Sequence, residues 1–447
     1  MLYSHLKSRM EQFPSATLRD NAQEVSYAQL LAEAEDLGRQ LCQAPKYGIL
    51  CHSQLNSLRG LLACFFAHKT AVPLSHLYGE AHTTKNIQAA NISHLITDEG
   101  IRAIGKGSAE SHDLTDVALI MCTSGTTGSP KAAMISPANL LCNLQDIAAY
   151  FGVTARDRML VGRPLYHCAV LTGEVLLGLH NGACIDFLSG ALTPHSLLRA
   201  IREHNATVCC GTPTLFHYLC RMDHTNTLHL LERIAVSGER LTEHVAASLQ
   251  KSCPNADIHH VYGLTEASPR VSHLPPSRFA DKSTSIGIPL DHVQTRLMPC
   301  DNGELELLVR GGNVMKGYYN DDDATRRVLC DGWLRTGDLA THDDEGYLYI
   351  KGRADDLMIR AGMNIYPQEI EDVLRQHPDI TDSLCSGTQA PDGQMQLHLD
   401  VITAALSPQD IYQFCLQQLP SYQLPDNIMV VSELPRNASG KLIRKRS

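Results

Sequence analysis

Short apolar segments alternate with longer amphipathic segments along the first two thirds of this 447-residue chain. The apolar segments have the length and composition of strands, and the segments between them place apolar residues at helical spacing. Strand-like segments lie at 48–51, 71–74, 92–98, 117–122, 182–187, 206–213, 233–239 and 257–263. Such alternation predicts a mostly parallel sheet covered by helices. The segment VALIMC at 117–122 has no polar face, which predicts a central strand.

The pattern changes twice in the last third of the chain. From about 286, strand-like segments alternate with turn residues, which predicts antiparallel hairpins. From about 355, a smaller unit begins, with helices at 369–378 and 407–420 and a strand at 397–403; Ser407 is predicted to cap the second of these helices. We therefore predict two domains, at 1–354 and 355–447.

Charge and cysteine content limit the possible functions. Lys and Arg number 38 against 48 Asp and Glu, a net charge of -10 that argues against a nucleic-acid partner. The fifteen cysteines include no CxxC pair, which predicts reduced thiols in a cytoplasmic protein. No apolar run approaches the roughly 18 residues of a membrane span. The 22 histidines show no HExxH spacing, so no metal site made of protein side chains alone is predicted.

The segment TSGTTGSPK, at 123–131, directly follows the apolar strand. Gly125 and Gly128 lack a Cβ, so backbone N–H groups can turn toward an anion. Hydroxyl groups add donors, and Lys131 adds a positive charge. The spacing differs from a Walker A loop, because Lys131 precedes Ala132 and not Ser or Thr. The composition predicts a loop that binds phosphate.

Four later segments place polar residues in turns. They are VYGLTEAS (261–268), GWLRTGDLA (332–340), IKGRADDLMIRAGMNIYPQEIE (350–371) and PRNASGKLIRKR (435–446). In this order, and together with the loop at 123–131, they resemble the adenylate-forming superfamily over nearly the whole chain. That superfamily contains acyl- and aryl-CoA synthetases, peptide-synthetase adenylation domains and firefly luciferase.

The resemblance implies a fold and a reaction. The fold would be α/β, with a large N-terminal domain of mostly parallel sheets covered by helices and a small β-barrel-like part. A small mobile α+β domain would follow. The enzyme would use ATP and Mg²⁺ to activate a carboxylic acid as acyl-AMP, release pyrophosphate, and pass the acyl group to a thiol.

The resemblance also implies residue roles in nucleotide binding. The ATP phosphates would contact Thr123, Ser124, Gly125, Thr126, Thr127, Gly128 and Lys131. Tyr262 would stack on adenine, beside Gly238, Glu239 and Arg240. Thr265 would contact the α-phosphate, and Glu266 would hold Mg²⁺. Asp338 would bind the ribose hydroxyls with Arg353 nearby. Glu239 and Arg240 depart from the small residues that many relatives have there.

Three further residues would serve catalysis and domain motion. Lys441 would bridge the attacking carboxylate and the α-phosphate, where negative charge grows in the transition state. Asp355 would mark the hinge about which the small domain rotates. Gly362 would then line the tunnel for the pantetheine arm, although Ala361 stands where a second glycine is common.

The segment RPLYHCAVLTGEVLLG, at 163–178, gives information on which carboxylic acid is the substrate. It contains no Asp to pair with a substrate ammonium, and Glu174 lies in a predicted helix, which argues against an α-amino acid. Tyr166-His167 resembles the Phe-His of acyl- and aryl-CoA ligases, where this histidine often flanks the carboxylate. The remaining pocket would draw on Val170, Gly211, Thr212 and the segment after Glu266, and Cys209, Cys210 and Thr212 are small. An aryl or medium-length acyl group is predicted.

The acceptor is predicted from MNIYPQEIE, at 363–371, which favours coenzyme A. The alternative is a free-standing ligase that loads the phosphopantetheine of a carrier protein, since that arm offers the same thiol. A third hypothesis, an adenylate-binding protein without turnover, is opposed by the presence of Lys441 and Glu266.

Overall fold

The computed structural model describes residues 1–77, 79–105, 113–123, 130–188, 190–360, 363–389, 395–436 and 442–444. Two compact units divide the chain. The first contains Met1–Arg296, Leu308–Arg335 and Asp344–Leu348, and the second contains Leu297–Leu307, Thr336–Asp343 and Tyr349–Ser447. The domain boundary predicted between 354 and 355 stays a prediction.

The helices and strands are numbered in chain order. The helices are α1 Leu2–Met10, α2 Tyr27–Gly38, α3 Gln54–Phe66, α4 Gly79–Ala89, α5 Pro137–Phe151, α6 Cys168–Val170, α7 Leu177–Asn181, α8 Pro194–His204, α9 Pro213–Met222, α10 Glu243–Ser252, α11 Phe279–Lys282, α12 Asp322–Val328, α13 Pro367–Leu374 and α14 Pro408–Gln418. The first strands are β1 Thr17–Asp20, β2 Gln23–Ser26, β3 Lys46–Ile49, β4 Thr70–Pro73, β5 His94–Thr97, β6 Gly100–Ala103, β7 Leu119–Thr123, β8 Lys131–Ile135, β9 Arg158–Val161, β10 Cys184–Phe187, β11 Val208–Gly211, β12 Arg233–Val236 and β13 Asp257–Gly263. The later strands are β14 Arg270–Leu274, β15 Ile288–Pro289, β16 Val293–Pro299, β17 Leu305–Gly311, β18 Gly317–Tyr318, β19 Leu329–Cys330, β20 Trp333–His342, β21 Leu348–Arg353, β22 Met358–Arg360, β23 Met363–Ile365, β24 Ile380–Gln389, β25 Met395–Thr403 and β26 Asn427–Val430.

A nine-stranded sheet has the order β15-β14-β13-β12-β11-β9-β10-β1-β2. Its six middle strands, from β13 to β1, run parallel, and antiparallel strands close both edges. Strands inside a parallel sheet bury apolar residues, as Ile185, Val208 and Ile234 show. The strands predicted near 182–187, 206–213, 233–239 and 257–263 are therefore confirmed.

A seven-stranded sheet has the order β18-β8-β7-β4-β3-β5-β6. The apolar segment predicted to be central forms β7, which lies between β8 and β4, and Leu119 and Ile120 are fully buried there. β8 returns antiparallel to β7, with Thr123 opposite Lys131. This pairing places both ends of the segment predicted to bind phosphate at one end of the sheet.

Helix α5 follows β8 and begins at a defined capping box. The Ser136 hydroxyl accepts the Asn139 N–H at 3.1 Å, and the Asn139 side chain accepts the Ser136 N–H at 2.9 Å. Such a cap contributes about 1 kcal/mol. The helix ends at Gly152, whose φ of 66° is the left-handed conformation that favours glycine.

The second unit has its own apolar core. Strands β24 and β25 form a long antiparallel hairpin, and β26 adds in parallel to β25. Helices α13 and α14 pack against this sheet, with Ile370, Leu374, Leu399 and Ile411 at the contact. The predicted capping of α14 by Ser407 is confirmed. A five-stranded sheet of order β16-β17-β20-β19, with β21 paired to β20, contains the predicted hairpin segments.

Candidate active site

Several of the residues predicted for the site follow neighbouring parallel strands of the nine-stranded sheet. His167 comes after β9, Thr212 after β11, Gly238 after β12, and Tyr262 lies near the end of β13. These four strands are adjacent and in register along the sheet. Since the carboxyl ends of parallel strands share one edge, this edge is where such α/β proteins bind ligands. The fold thus aligns the predicted acid-binding and adenine-binding segments.

Tyr318 connects two of the predicted phosphate and metal ligands. Its hydroxyl donates a hydrogen bond of 2.8 Å to Glu266 Oε1, and Lys131 Nζ lies 5.1 Å from its ring centroid. Tyr318 reaches this position because β18 pairs with β8, with Tyr318 opposite Ala133. The backbone carbonyl of Glu266 also accepts the N–H of Met315 at 2.9 Å. Sequence reasoning missed Tyr318, since only strand pairing places it beside both residues.

The carboxylate of Glu266 therefore has the chemistry and the setting for Mg²⁺. An oxygen ligand suits this hard cation, and one such carboxylate with substrate phosphates is the usual magnesium arrangement. The Tyr318 hydroxyl orients the carboxylate through one oxygen and leaves the other oxygen for coordination. The Lys131 ammonium, over the same tyrosine ring, adds a positive charge that suits the phosphates predicted to bind here.

The segment predicted to line adenine, at 238–240, is fixed in position by a glycine turn and by hydrogen bonds to helix α9. Gly238 has a φ of 91°, a conformation that side chains rarely adopt. The Glu239 carboxylate accepts hydrogen bonds from the N–H and hydroxyl of Thr214, at 3.1 and 2.6 Å. Thr214 lies in the first turn of α9, where the helix dipole favours a negative charge. Glu239 thus anchors the 238–240 segment to α9, which accounts for a charged residue at this position.

The predicted ribose-binding pair lies in the second unit. Arg353 Nη1 donates to Asp338 Oδ1 at 2.9 Å and to the Thr336 carbonyl at 2.8 Å. Gly337, between Thr336 and Asp338 in the sequence, has a φ of 71°, and a Cβ on this residue would lie 2.8 Å from Arg353 Nη2. The turn therefore needs glycine so that Arg353 can reach Asp338. Asp355, the predicted hinge residue, is exposed in the turn Ala354–Asp356.

His167 is half-buried at the start of α6. Burial and the nearby Arg163 guanidinium lower the pKa of His167 to about 4, so its imidazole is neutral at pH 7. The ring packs on Tyr166 with a centroid distance of 4.5 Å. Tyr166 also lines a small cavity whose wall is partly apolar and partly polar, with Ile49, Leu74, Leu165, Gln54, Ser57 and His76 among its residues.

Arg163, which lowers the pKa of His167, also forms an ion pair with a buried carboxylate. Arg163 Nη2 is 2.9 Å from Glu174 Oε1, and the Glu174 side chain is 1% exposed. Burial raises the pKa of Glu174, and the Arg163 and Arg270 guanidinium groups oppose that rise. The helix predicted around Glu174 is a π-helix, Leu171–Leu176, and Arg270 packs against Gly173, where a Cβ would lie 3.0 Å from Nη2. Sequence reasoning found Glu174 but not its pairing.

Several predicted site residues lie outside the described residues. They are Ser124, Gly125, Thr126, Thr127, Gly128, Gly362 and Lys441, together with the side chain of Thr123. Their roles, like those of all the other predicted site residues, stay predictions.

The sequence matches two family models. The model of the AMP-binding enzyme matches residues 105–319, and that of the AMP-binding enzyme C-terminal domain matches residues 369–441. The chain is 33% identical to the 2-succinylbenzoate–CoA ligase of Bacillus velezensis, over 74% of this chain and 69% of that one. The chain belongs to the AMP-binding enzyme family. It is also 31% identical to a long-chain-fatty-acid–CoA ligase of Escherichia coli O157:H7, over 74% of this chain and 61% of that one.

Solved structures show the same relationship. The o-succinylbenzoate CoA synthetase of Bacillus subtilis, solved with its acyl-adenylate intermediate, is 26% identical and superposes with a TM-score of 0.87. The superposition covers 98% of this chain and 96% of that one. The same enzyme was also solved with ATP and magnesium. The predicted α/β fold, the AMP-forming acid–thiol ligase class, and ATP with Mg²⁺ are thereby confirmed for this family member.

These relatives also bear out the predicted thiol chemistry, since both curated relatives are named as CoA ligases. Among the described residues, each helix is too short or too polar to cross a membrane.

Proposed function

We propose that this enzyme activates an aryl or medium-length acyl carboxylic acid as acyl-AMP and then transfers the acyl group to coenzyme A. The observation that carries this proposal is the neutral His167 next to Tyr166. A neutral imidazole can donate one hydrogen bond to a carboxylate without trapping it in a fixed ion pair. The residues predicted to line the rest of the pocket include Val170 and Gly211, with the small Cys209 and Cys210 next to Gly211; all are apolar and buried, which suits an uncharged acyl or aryl body.

The buried pair supports the exclusion of amino acids. An α-ammonium group would need a carboxylate partner in the pocket, because an unpaired buried charge is costly. Glu174 is the acidic residue in the 163–178 segment, and Arg163 already holds it at 2.9 Å. A substrate ammonium would have to break that buried pair. A carboxylic acid without an amino group has no such cost.

The first step would occur at the α-phosphate of ATP. A carboxylate oxygen of the acid attacks the α-phosphorus, the P–O bond to the β-phosphate breaks, and pyrophosphate leaves. Lys131 would bind the phosphates, and Glu266, oriented by Tyr318, would hold Mg²⁺, which offsets phosphate charge when bound. Lys441 would stabilise the growing charge between the two reacting groups.

The second step would occur at the acyl carbonyl. The thiolate of coenzyme A attacks the carbonyl carbon, the C–O bond to the phosphate breaks, and AMP leaves. Gly362 would line the path of the pantetheine arm. A cytoplasmic location belongs to this proposal, and it is supported by fifteen free cysteines.

The test is mass spectrometry of reactions that contain the full chain, ATP, Mg²⁺ and single acids. The panel should contain 2-succinylbenzoate, benzoate, octanoate, palmitate and an α-amino acid, each with and without coenzyme A. We expect acyl-CoA from an aryl or medium-length acid and none from the amino acid. Acyl-AMP that accumulates with coenzyme A untouched would overturn the acceptor and favour a carrier protein.

A further inference from the structure

Three side chains of different chemistry meet on the surface of the first unit, apart from the site described above. Within the described residues, Cys142 Sγ, a carboxylate oxygen of Asp146 and a ring nitrogen of His292 all lie within 4.8 Å of one another. Cys142 and Asp146 are one turn apart on α5 and so share one face of the helix. His292 comes from the segment between β15 and β16. The cluster therefore joins two segments that are far apart in the sequence.

The contacts hold these groups in place. His292 Nδ1 is 2.5 Å from Asp146 Oδ1, and the His292 N–H is 3.4 Å from Oδ2. The Asp146 side chain is 2% exposed, whereas that of His292 is 62% exposed. A Cβ at Gly312 would lie 2.8 Å from Cys142 Sγ, so glycine at this position leaves space for the thiol. The cluster is buried at its base and open to solvent on the His292 side.

We propose that Cys142, Asp146 and His292 bind a divalent cation of the zinc type, with water at the fourth position. Thiolate, imidazole and carboxylate together form a ligand set that Zn²⁺ and Co²⁺ accept. Mg²⁺ prefers oxygen ligands alone, so this site differs in chemistry from the one at Glu266. On binding, the Cys142 thiol loses its proton to solvent and its sulfur bonds to the metal.

The geometry permits this with a small movement. At zinc–ligand distances of roughly 2.0–2.3 Å, tetrahedral ligand atoms are about 3.3–3.8 Å apart. The Asp146–His292 pair would have to open by about 1 Å, and the widest separation in the cluster would close by about the same amount. His292 can make this movement because its side chain is mostly exposed. The bound ion would then cross-link α5 to the segment before β16 and raise the stability of the first unit.

The test uses Co²⁺, because its bond to a thiolate gives a charge-transfer absorption band. We expect the full chain to show this band on titration with one equivalent of Co²⁺, and Cys142→Ser to lose it. Cys330→Ser is the matched control, because Cys330 is also a free cysteine but is exposed and outside the cluster. It should keep the band. A band of equal strength in Cys142→Ser would overturn the proposal.

A second measurement covers the case in which Cys142→Ser does not fold. His292→Gln alters an exposed side chain, so folding should be retained. Zn²⁺ should raise the melting temperature of the wild type and of Cys330→Ser. In His292→Gln, the same rise in melting temperature should need a Zn²⁺ concentration at least about tenfold higher. An equal zinc response in all three proteins would mean that the ion binds elsewhere, and that result would overturn the site.

Discussion

Tyr318 donates its hydroxyl hydrogen bond to Glu266 at 2.8 Å. Glu266 lies in the turn that connects β13 to β14 of the nine-stranded sheet, and Tyr318 lies on the edge strand of the seven-stranded sheet. The bond therefore connects the edges of two sheets at the residue proposed to hold Mg²⁺. It also sets Glu266 beside Lys131, which packs over the same tyrosine ring.

Removing this hydroxyl should weaken metal-dependent activation. Tyr318→Phe leaves the aromatic ring under Lys131 but removes the hydrogen bond that orients the Glu266 carboxylate. We expect the rate of acyl-AMP formation to fall about tenfold, because a metal ligand that loses its orienting hydrogen bond typically loses that much activity. The Mg²⁺ concentration needed for half-maximal pyrophosphate release should rise. Tyr319→Phe is the control: its hydroxyl bonds the buried Lys46 at 3.1 Å, so its loss should lower stability and leave the Mg²⁺ dependence unchanged. An unchanged Mg²⁺ dependence in Tyr318→Phe would contradict the role of this bond.

Lys441→Ala should separate the two steps of the reaction. We expect acyl-AMP formation to fall about 10²–10³-fold or more, because a positioned charge at the transition state is lost. Thioester formation from supplied acyl-AMP should persist. Lys445→Ala removes a charge from the same basic segment and should retain both steps. Equal loss of both steps in Lys441→Ala would show that the residue does not act in adenylation alone.

Gly362→Leu should have the opposite effect. A side chain in the proposed pantetheine tunnel would block the thiol, so thioester formation should be lost while pyrophosphate release continues. Single-turnover assays with and without coenzyme A measure the two steps separately. A variant that still forms the thioester at the wild-type rate would exclude Gly362 from the tunnel.

Arg163→Met should destabilise the first unit. It leaves the Glu174 carboxylate, 1% exposed, without its 2.9 Å partner, and breaking such a pair typically costs about 3–5 kcal/mol. The double variant Arg163→Met/Glu174→Gln removes the charge as well and should regain more than half of the lost free energy of unfolding. Urea denaturation measures the free energy of unfolding of the single and the double variant. Equal stability of the single and double variants would show that Arg163 is not required to compensate Glu174.

Acid should destabilise the fold through two adjacent buried histidines. Burial, together with the charges of His273 and Arg233, lowers the pKa of His259 to about 3, and burial lowers the pKa of His260 to about 4. In the unfolded chain, both histidines have the ordinary pKa of about 6.5. The unfolded chain therefore binds more protons than the folded chain between pH 6.5 and pH 4. Stability should therefore be greatest above pH 6.5 and fall below it.

The variant His260→Asn tests this pH dependence. Its amide can still donate to the Ser283 carbonyl, which His260 Nδ1 contacts at 3.0 Å. Over pH 6.5 to 4, the loss of unfolding free energy should be smaller than in the wild type by up to about 1.4 kcal/mol per pH unit. His195→Asn, on the exposed surface of α8, should leave the slope unchanged. A wild-type slope in His260→Asn would contradict the prediction.

Local sequence signals predicted much of the architecture. The apolar segment 117–122 became the central strand β7, and Ser407 caps α14 as expected. These predictions succeed because burial periodicity and capping depend on residues within a few positions of one another. The helix predicted around Glu174 is present, and it takes the form of a π-helix packed against Arg270. Packing against a distant arginine is not visible in a local pattern.

By itself, the sequence determined the alternating strands and helices, the phosphate-binding composition of the 123–131 loop, and the ordered motifs of the AMP-binding enzyme family. Only the tertiary structure decided that Tyr318 connects Lys131 to Glu266, that Arg163 neutralises Glu174, and that Cys142, Asp146 and His292 meet. The physical reason is the range of the interactions. Strand, turn and cap preferences act between neighbours along the chain, whereas these contacts arise from strand order and helix packing, which bring distant segments together.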